Sequence, residues 1–419
     1  MRALPLSLLA LASACSPPLS PVPVPVPVPV PDLVSVSPPP PPTPTPTPAW
    51  SDVTRSPWPS VDTPASDPRE RALASLCGGE DDALTRVARE IAQARARGLG
   101  VPDTELVVAK LRAAGEPHPR PRLIVASGQA PLDETKVKVE LAPTPASRGR
   151  SRCGVAIAKT PDVERVDRGE VLVALRIEAL ADLAPLPTRA RTGEWLTFEA
   201  RLHVGARAAK VVVLGPHGAP RSVPTSLDAK TGIARARLAL DQPGAFTLQL
   251  VGDVAEGPRP LLEARVFADV VPTAPGEEPP APGEDDPAAA GAPDAVALAR
   301  MVAALRAGEG SPALRPDDKL DALARGHAER MRDRRSVAHD LGDGDFRDRF
   351  ESEGTLAARA VGENVAHAPT IALAHRALHA SPSHRINLLR ADYTHMGIGV
   401  ARAPDGSVYV CETFASVPR

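Results

Sequence analysis

Met396-Gly397-Ile398-Gly399-Val400-Ala401-Arg402-Ala403, the turn Pro404-Asp405-Gly406, and Ser407-Val408-Tyr409-Val410-Cys411-Glu412-Thr413-Phe414 decide how this chain is read. Asp-Gly between two alternating apolar runs is a strong hairpin signal. Toward the N-terminus, Pro316-Asp317-Asp318 opens a helix on which Leu320, Leu323, Ala324, His327, Ala328 and Met331 form an unbroken i, i+3, i+4, i+7, i+8, i+11 stripe. Before it, Asp294 to Leu305 places Ala295, Leu298, Ala299, Val302 and Leu305 on one side. Between helix and hairpin, Asp345–Glu353 reads as a short helix ended by Gly354, and Pro369–Ala380 as another stopped by Ser381-Pro382. Residues 294–419 therefore read as one mixed α and β domain.

Within this domain, Ala324-Arg325-Gly326-His327-Ala328-Glu329-Arg330-Met331 is followed by Ala338-His339 and by Gly362-Glu363-Asn364-Val365-Ala366. Then come Ser381-Pro382-Ser383-His384-Arg385-Ile386-Asn387-Leu388-Leu389 and Tyr393-Thr394-His395-Met396-Gly397-Ile398-Gly399-Val400. In this order the segments resemble the CAP (SCP-like) extracytoplasmic domains of bacteria. The resemblance implies an α-β-α sandwich with a shallow cleft holding two histidines and one or two acids. One departure stands out: Leu378-His379-Ala380-Ser381 has no carboxylate where the family carries its second acid.

The chemistry also follows from the residues themselves. His339 and His384 fall in loops or at helix ends, where side chains can converge on a cleft. Glu363 is placed to accept a hydrogen bond from an imidazole, and such a carboxylate fixes the ring's tautomer and favours its protonated form. His339, Glu363 and His384 are thus the candidate acid–base set. His339 and His384 are the candidate ligands for a divalent metal, zinc or copper by the softness of imidazole. No G-x-S-x-G lies near them, and Ser381 and Ser383 read as helix-stop and capping residues. His327 reads as a hydrogen-bonded core histidine and Cys411 as a small buried residue. His375 and His379, at i and i+4, read as a partly exposed helix face.

The rest of the chain reads as several further pieces. Met1-Arg2, the apolar run Ala3–Ala12 and the small residues before Cys15 form a signal segment, 1–15, too short to span a bilayer. The segment resembles a lipobox, which implies lipidation at Cys15 and a lipid anchor to the bacterial outer membrane; an ordinary secretory signal is the alternative. Residues 16–65 form a proline-rich stalk in polyproline II. Residues 66–190 form an α+β region of unknown type, with helices near Ala83–Ile91 and Thr104–Ala113. Its strands are expected at Leu123–Val125, Val137–Leu141, Cys153–Ile157 and Val171–Leu175. Its helices and strands follow the same order as the C-terminal domain, and Cys153-Gly154-Val155-Ala156 faintly echoes Ile398-Gly399-Val400-Ala401; a degenerate, chemically empty duplicate of that domain is the alternative to an unrelated region. Residues 191–271 alternate with regular turns, as in an Ig-like β-sandwich, and 272–293 form a Pro/Gly/acidic linker that isolates the C-terminal domain. Cys77 and Cys153 are the expected disulfide in an exported chain. A net charge of −2 with no basic block gives no case for nucleic acid.

Two functions remain open. One is a binding or scaffold module that presents the His/Glu cleft to an envelope lipid, glycan or protein. The other is an envelope hydrolase, acting on peptide or peptidoglycan, in which His339, Glu363 and His384 supply acid–base or metal chemistry. CAP-like domains have no single agreed reaction, so the resemblance bears on fold more than on function.

Overall fold

The computed structural model describes residues 67–418 apart from 120, 143–148, 161–168, 256, 278–279, 287–290 and 354–356. The signal segment, Cys15, the 16–65 tract and Gly354 lie outside the described residues. Within them the chain is a mixed α/β multidomain structure.

The first unit runs α1 (Pro68–Ala74), α2 (Asp82–Ala96), α3 (Thr104–Ala113), β1 (Arg122–Gln129), α4 (Thr135–Leu141), β2 (Arg150–Lys159) and β3 (Gly169–Ala179). Its antiparallel sheet has the order β1-β3-β2. The helices α2 and α3 cover one face through Leu84, Val87, Ile91, Val107 and Leu111, which pack on Val173 and Leu175. On the other face, Leu73 and Val137 meet Leu172 and Ala174. Cys77 and Cys153 are disulfide-bonded, with 6.1 Å between Cα atoms. The expected strand at Val137–Leu141 is instead helix α4. Its alternating letters suggested a strand, but Val137 and Leu141, four apart, are both buried while Val139 is 71% exposed. One turn of helix meets that demand and a pleat does not.

The second unit runs β4 (Ala181–Leu183), β5 (Arg189–Ala190), β6 (Trp195–Leu202), β7 (Ala208–Leu214), β8 (Arg221–Val223), β9 (Thr225–Asp228), β10 (Ile233–Ala239), β11 (Gly244–Val254) and β12 (Gly257–Ala268). These strands form two sheets, β4-β6-β10-β9 and β5-β12-β11-β7-β8. Phe198, Leu238, Phe246, Leu250 and Val266 share one core between them. That core also takes in Leu180, Ala181, Leu183 and Leu186, so the unit starts about ten residues before the expected boundary at 191.

The third unit runs α5 (Asp294–Gly308), β13 (Arg315–Pro316), α6 (Asp318–Arg334), α7 (Phe346–Ser352), β14 (Val361–Ala368), α8 (Ile371–Ala380), α9 (Pro382–Leu389), β15 (His395–Arg402) and β16 (Val408–Ala415). Its sheet order is β13-β15-β16-β14. Leu298, Val302, Leu378 and Leu388 from α5, α8 and α9 cover one face, against Ile398, Val410 and Phe414. On the other face α6 and α7 pack against Val365, Cys411 and Ala415. Ser381-Pro382 ends α8 but also starts α9, with proline in the first turn where its missing N–H costs nothing. The 272–293 segment does not isolate this unit. Ala281 is buried, Glu284 pairs with Arg376, and Pro282 O accepts from His375 Nε2 at 3.1 Å.

The first and third units share one plan. Setting aside the two-residue β13, in each the first strand is an edge, the last strand is central, and the middle strand lies beyond it. In each, an Asp caps the helix that crosses the middle strand, and its N–H bonds that strand: Asp81 N to Cys153 O at 2.9 Å, Asp317 N to Met396 O at 3.1 Å. The next residue is glycine in both. A Cβ on Gly154 would sit 2.0 Å from Thr85 N, and one on Gly397 would sit 2.1 Å from the carbonyl carbon of Leu320. Helix and strand backbones touch there, so no larger residue fits. The correspondence is therefore built into both units, and it sets Cys153 on Met396, two residues from the register the sequence echo suggested.

Candidate functional site

Glu363 lies on the edge strand β14, after a glycine that the fold requires. A Cβ on Gly362 would fall 2.2 Å from the Tyr393 phenol oxygen. The Glu363 side chain enters the α6/α7 layer and is almost wholly buried. His339 Nδ1–H donates to Oε1 at 2.9 Å. Arg349 Nη2 donates to Oε2 at 2.5 Å, and the Cys411 thiol donates to the same oxygen at 3.3 Å. His327 Nε2 stands 4.0 Å from Oε1 while donating to Ala338 O at 2.8 Å. Arg349 Nη1 also donates to His339 O at 2.7 Å and to Gly344 O at 2.6 Å. The loop carrying His339 is thus held on both sides by residues that themselves face Glu363. The His339 side chain remains 45% exposed, with its Nδ1 committed to Glu363.

Charge states follow from this packing. Burial would push the Glu363 carboxyl up, but the His339 hydrogen bond and the charges of His327 and Arg349 hold it below the usual carboxylate range. Burial pushes His327 down, against the pull of Glu363. Burial and the neighbouring Glu363 charge push the Cys411 thiol up, so it is no nucleophile.

A second polar cluster occupies the other face. Asn364 Nδ2 donates to Glu412 Oε2 at 3.0 Å and to His384 O at 3.2 Å, and Asn364 Oδ1 accepts from Asn387 at 2.9 Å. Asn387 also donates to Glu363 O at 3.2 Å, which links the two clusters through one strand. Glu412 is fully buried. Its Oε1 has no hydrogen-bond partner among the described residues, and burial pushes its carboxyl up to about 7 against the Asn364 bond.

Of the three expected site residues, the structure brings His339 and Glu363 together. His384 lies on α9, in the opposite layer. Its backbone carbonyl joins the Asn364 cluster. Sequence reasoning missed Arg349 and Glu412. Arg349 falls between Phe346 and Phe350 on the buried side of α7. Glu412 is a lone carboxylate inside the apolar run of a central strand, which marks it as unusual.

Among the described residues, no three His, Cys, Asp or Glu side chains converge as a metal site would need. The Arg349 guanidinium also sits against the one carboxylate beside His339, where it would repel a cation. The donor set does not fit zinc or copper. His375 and His379 are a packing feature: His375 is buried, not partly exposed, because the 281–284 segment covers it. Burial pushes His375 down to about 4. Burial, with Arg385 and His375 nearby, pushes His379 down to about 3.

A search of curated proteins finds no match. Among solved structures the chain is similar to an outer surface protein of Borrelia burgdorferi, at 22% identity over 30% of this chain and 93% of that one, with a TM-score of 0.29. An extracellular protein containing an SCP domain from Bacillus anthracis matches at 16% identity over 57% and 86%, with a TM-score of 0.26. A cysteine-rich secretory protein from Staphylococcus aureus matches at 12% identity over 57% and 85%, with a TM-score of 0.25. Residues 299–413 match the sequence description of CAP, the cysteine-rich secretory protein family. That stretch runs from within α5 to within β16 and holds both polar clusters, so the third unit of this chain is a CAP domain and belongs to that family.

Proposed function

We propose that the chain is an extracytoplasmic binding module whose CAP domain presents His339, oriented by Glu363 and Arg349, to an envelope lipid, glycan or protein. The observation that carries this reading is the contrast with the first unit. Aligning Gly154 with Gly397 sets Leu123 against Glu363, Val173 against Cys411, Leu175 against Thr413, Ile91 against His327, Ile124 against Asn364 and Ala174 against Glu412. At these six positions the first unit carries aliphatic side chains, and it buries its own polar groups, Glu116 and His118 among them, elsewhere, so the shared plan does not need a polar set here. Buried polar groups without a structural need carry a desolvation cost, which favours a role in recognition.

In this reading Cys15 carries the lipid anchor, the 16–65 tract is the stalk, and the two-sheet unit is an Ig-like spacer. Among the described residues no helix is long and apolar enough to cross a membrane. The hydrolase reading draws on the His339–Glu363 pair alone, since the thiol beside it is buried and protonated. The test is to titrate the whole chain with envelope lipid vesicles, peptidoglycan fragments and envelope extract, alongside a His339→Ala variant. Saturable binding of one class, weakened in the variant and without product formation, is expected. Turnover that disappears with His339→Ala would instead favour the hydrolase.

A further inference from the structure

At the outer edge of the first sheet, α1, α2 and β2 border an open recess of about 390 Å³, within the range of small-ligand pockets. Glu70, Arg89, Gln93, Arg97, Ile157 and Lys159 line it. Glu70 is buried at the base: Oε1 accepts the Ile157 N–H at 2.7 Å, and Oε2 lies 3.4 Å from Arg89 Nη2. Gln93, Arg97 and Lys159 are exposed around it, and no described acid pairs with Arg97 or Lys159. Three cations therefore surround one carboxylate that is already engaged.

The CAP domain shows what this edge looks like when it is only a surface. With Asp81 set on Asp317 and Gly154 on Gly397, the counterparts of Arg89, Gln93, Arg97 and Lys159 are Arg325, Glu329, Asp333 and Arg402. There the charges are balanced. Arg402 pairs with Asp294 at 2.7 Å, and Asp333 accepts from Arg332 at 2.8 Å. The first unit has a neutral amide in place of Glu329 and a cation in place of Asp333. The first unit thus has a basic recess that the CAP domain lacks.

We propose that this recess is an anion site that takes a phosphate or carboxylate group carried on a hydroxylated body about the size of one sugar ring. Guanidinium groups suit such oxyanions. A lining that is polar apart from Ile157 and two alanines suits hydroxyls better than an apolar tail.

Calorimetric titration of the full chain with glucose 6-phosphate, inorganic phosphate and glucose tests the proposal. Saturable, salt-sensitive binding of the sugar phosphate is expected, with none for glucose. Phosphate binding as tightly as the sugar phosphate would keep the site and assign the free ion as its ligand. The Arg97→Glu/Lys159→Glu double variant should weaken binding about tenfold or more, while Arg235→Glu on the two-sheet unit should not. Melting curves check that the double variant folds; if it does not, Arg97→Gln/Lys159→Gln replaces it. Absence of saturable binding to either anion, equal binding of glucose, or the same loss in Arg235→Glu would overturn the proposal.

Discussion

The two three-layer units place the same Asp cap on the same kind of strand, with a glycine where the backbones meet, but at matched positions between sheet and helices one carries aliphatic side chains where the other carries acids, an amide and an imidazole. What they share is what the architecture demands: a central last strand, helices on both faces, and a helix–strand contact too close for a Cβ. What differs is what the architecture tolerates. Glu363, Arg349, His327, Asn364 and Glu412 belong to the second class, and the pairing of strands identifies them without reference to any other protein.

The comparison is broken most directly at the shared contact. Gly154→Ala and Gly397→Ala each force a Cβ within about 2 Å of helix backbone. Each should cost on the order of 4 kcal/mol or more, among the largest effects of single substitutions. Denaturant unfolding of the whole chain would show a lowered midpoint for both. If one is tolerated, the two helix–strand contacts are not equivalent and the residue correspondence fails.

Next in size is the transplant of the first unit's chemistry into the CAP domain. Glu363→Leu alone leaves the Arg349 guanidinium, 6% exposed, without the carboxylate it bonds, with Asp343 standing at 4.0 Å. It should cost about 3–5 kcal/mol, as when one partner of a buried ion pair is removed. Adding Arg349→Met and His327→Ile should recover most of that loss, because the first unit packs aliphatics in the corresponding layer. Failure of the triple variant to recover stability would mean that the polar set holds the fold together.

Much of this was legible in the sequence, and the limits have physical causes. The stripe of Leu320 to Met331 and the Asp-Gly hairpin gave α6, β15 and β16, because period and turn chemistry are local properties. His339 and Glu363 were found because both fall in segments that resemble CAP domains, one in a loop and one just inside a strand after a glycine. Arg349 and Glu412 were missed because their role depends on which face of an element is covered, and that is set by distant residues. The same cause made α4 look like a strand. That His384 would be carried on α9, in the layer across the sheet from α6 and α7, was not legible because sequence order does not say which side of a sheet a helix will take.

The third effect depends on pH. Glu412, pushed up to about 7, holds its proton in the folded chain well above the range where an unfolded carboxyl releases it. Its folded value is raised, so its contribution is complete below about pH 4.5 and is lost as pH rises toward 7. The loss should be on the order of 3 kcal/mol across that window. Its counterpart Ala174 has no such slope. Stability of the native sequence minus that of Glu412→Gln, measured at several pH values, isolates the effect. A difference that stays constant from pH 4.5 to 7 would mean that Glu412 is ionised and compensated in the folded chain.

The smallest effect on stability belongs to the residue most exposed to a ligand. His339 gives Nδ1 to Glu363, but almost half of its side chain is in solvent, and Arg349 retains its bonds to the loop carbonyls without the ring. His339→Ala should therefore change unfolding free energy by only about 1.5 kcal/mol, the low end for a hydrogen bond to a charged group, because almost half of the side chain is in solvent. A residue that costs little to remove from the fold, yet is fixed by an acid and an arginine at the protein's expense, is placed for something outside the fold. Unfolding of His339→Ala by more than about 2 kcal/mol would reverse that inference: the ring would then be a structural tie, and the contrast between the two units would mark two ways of filling a core.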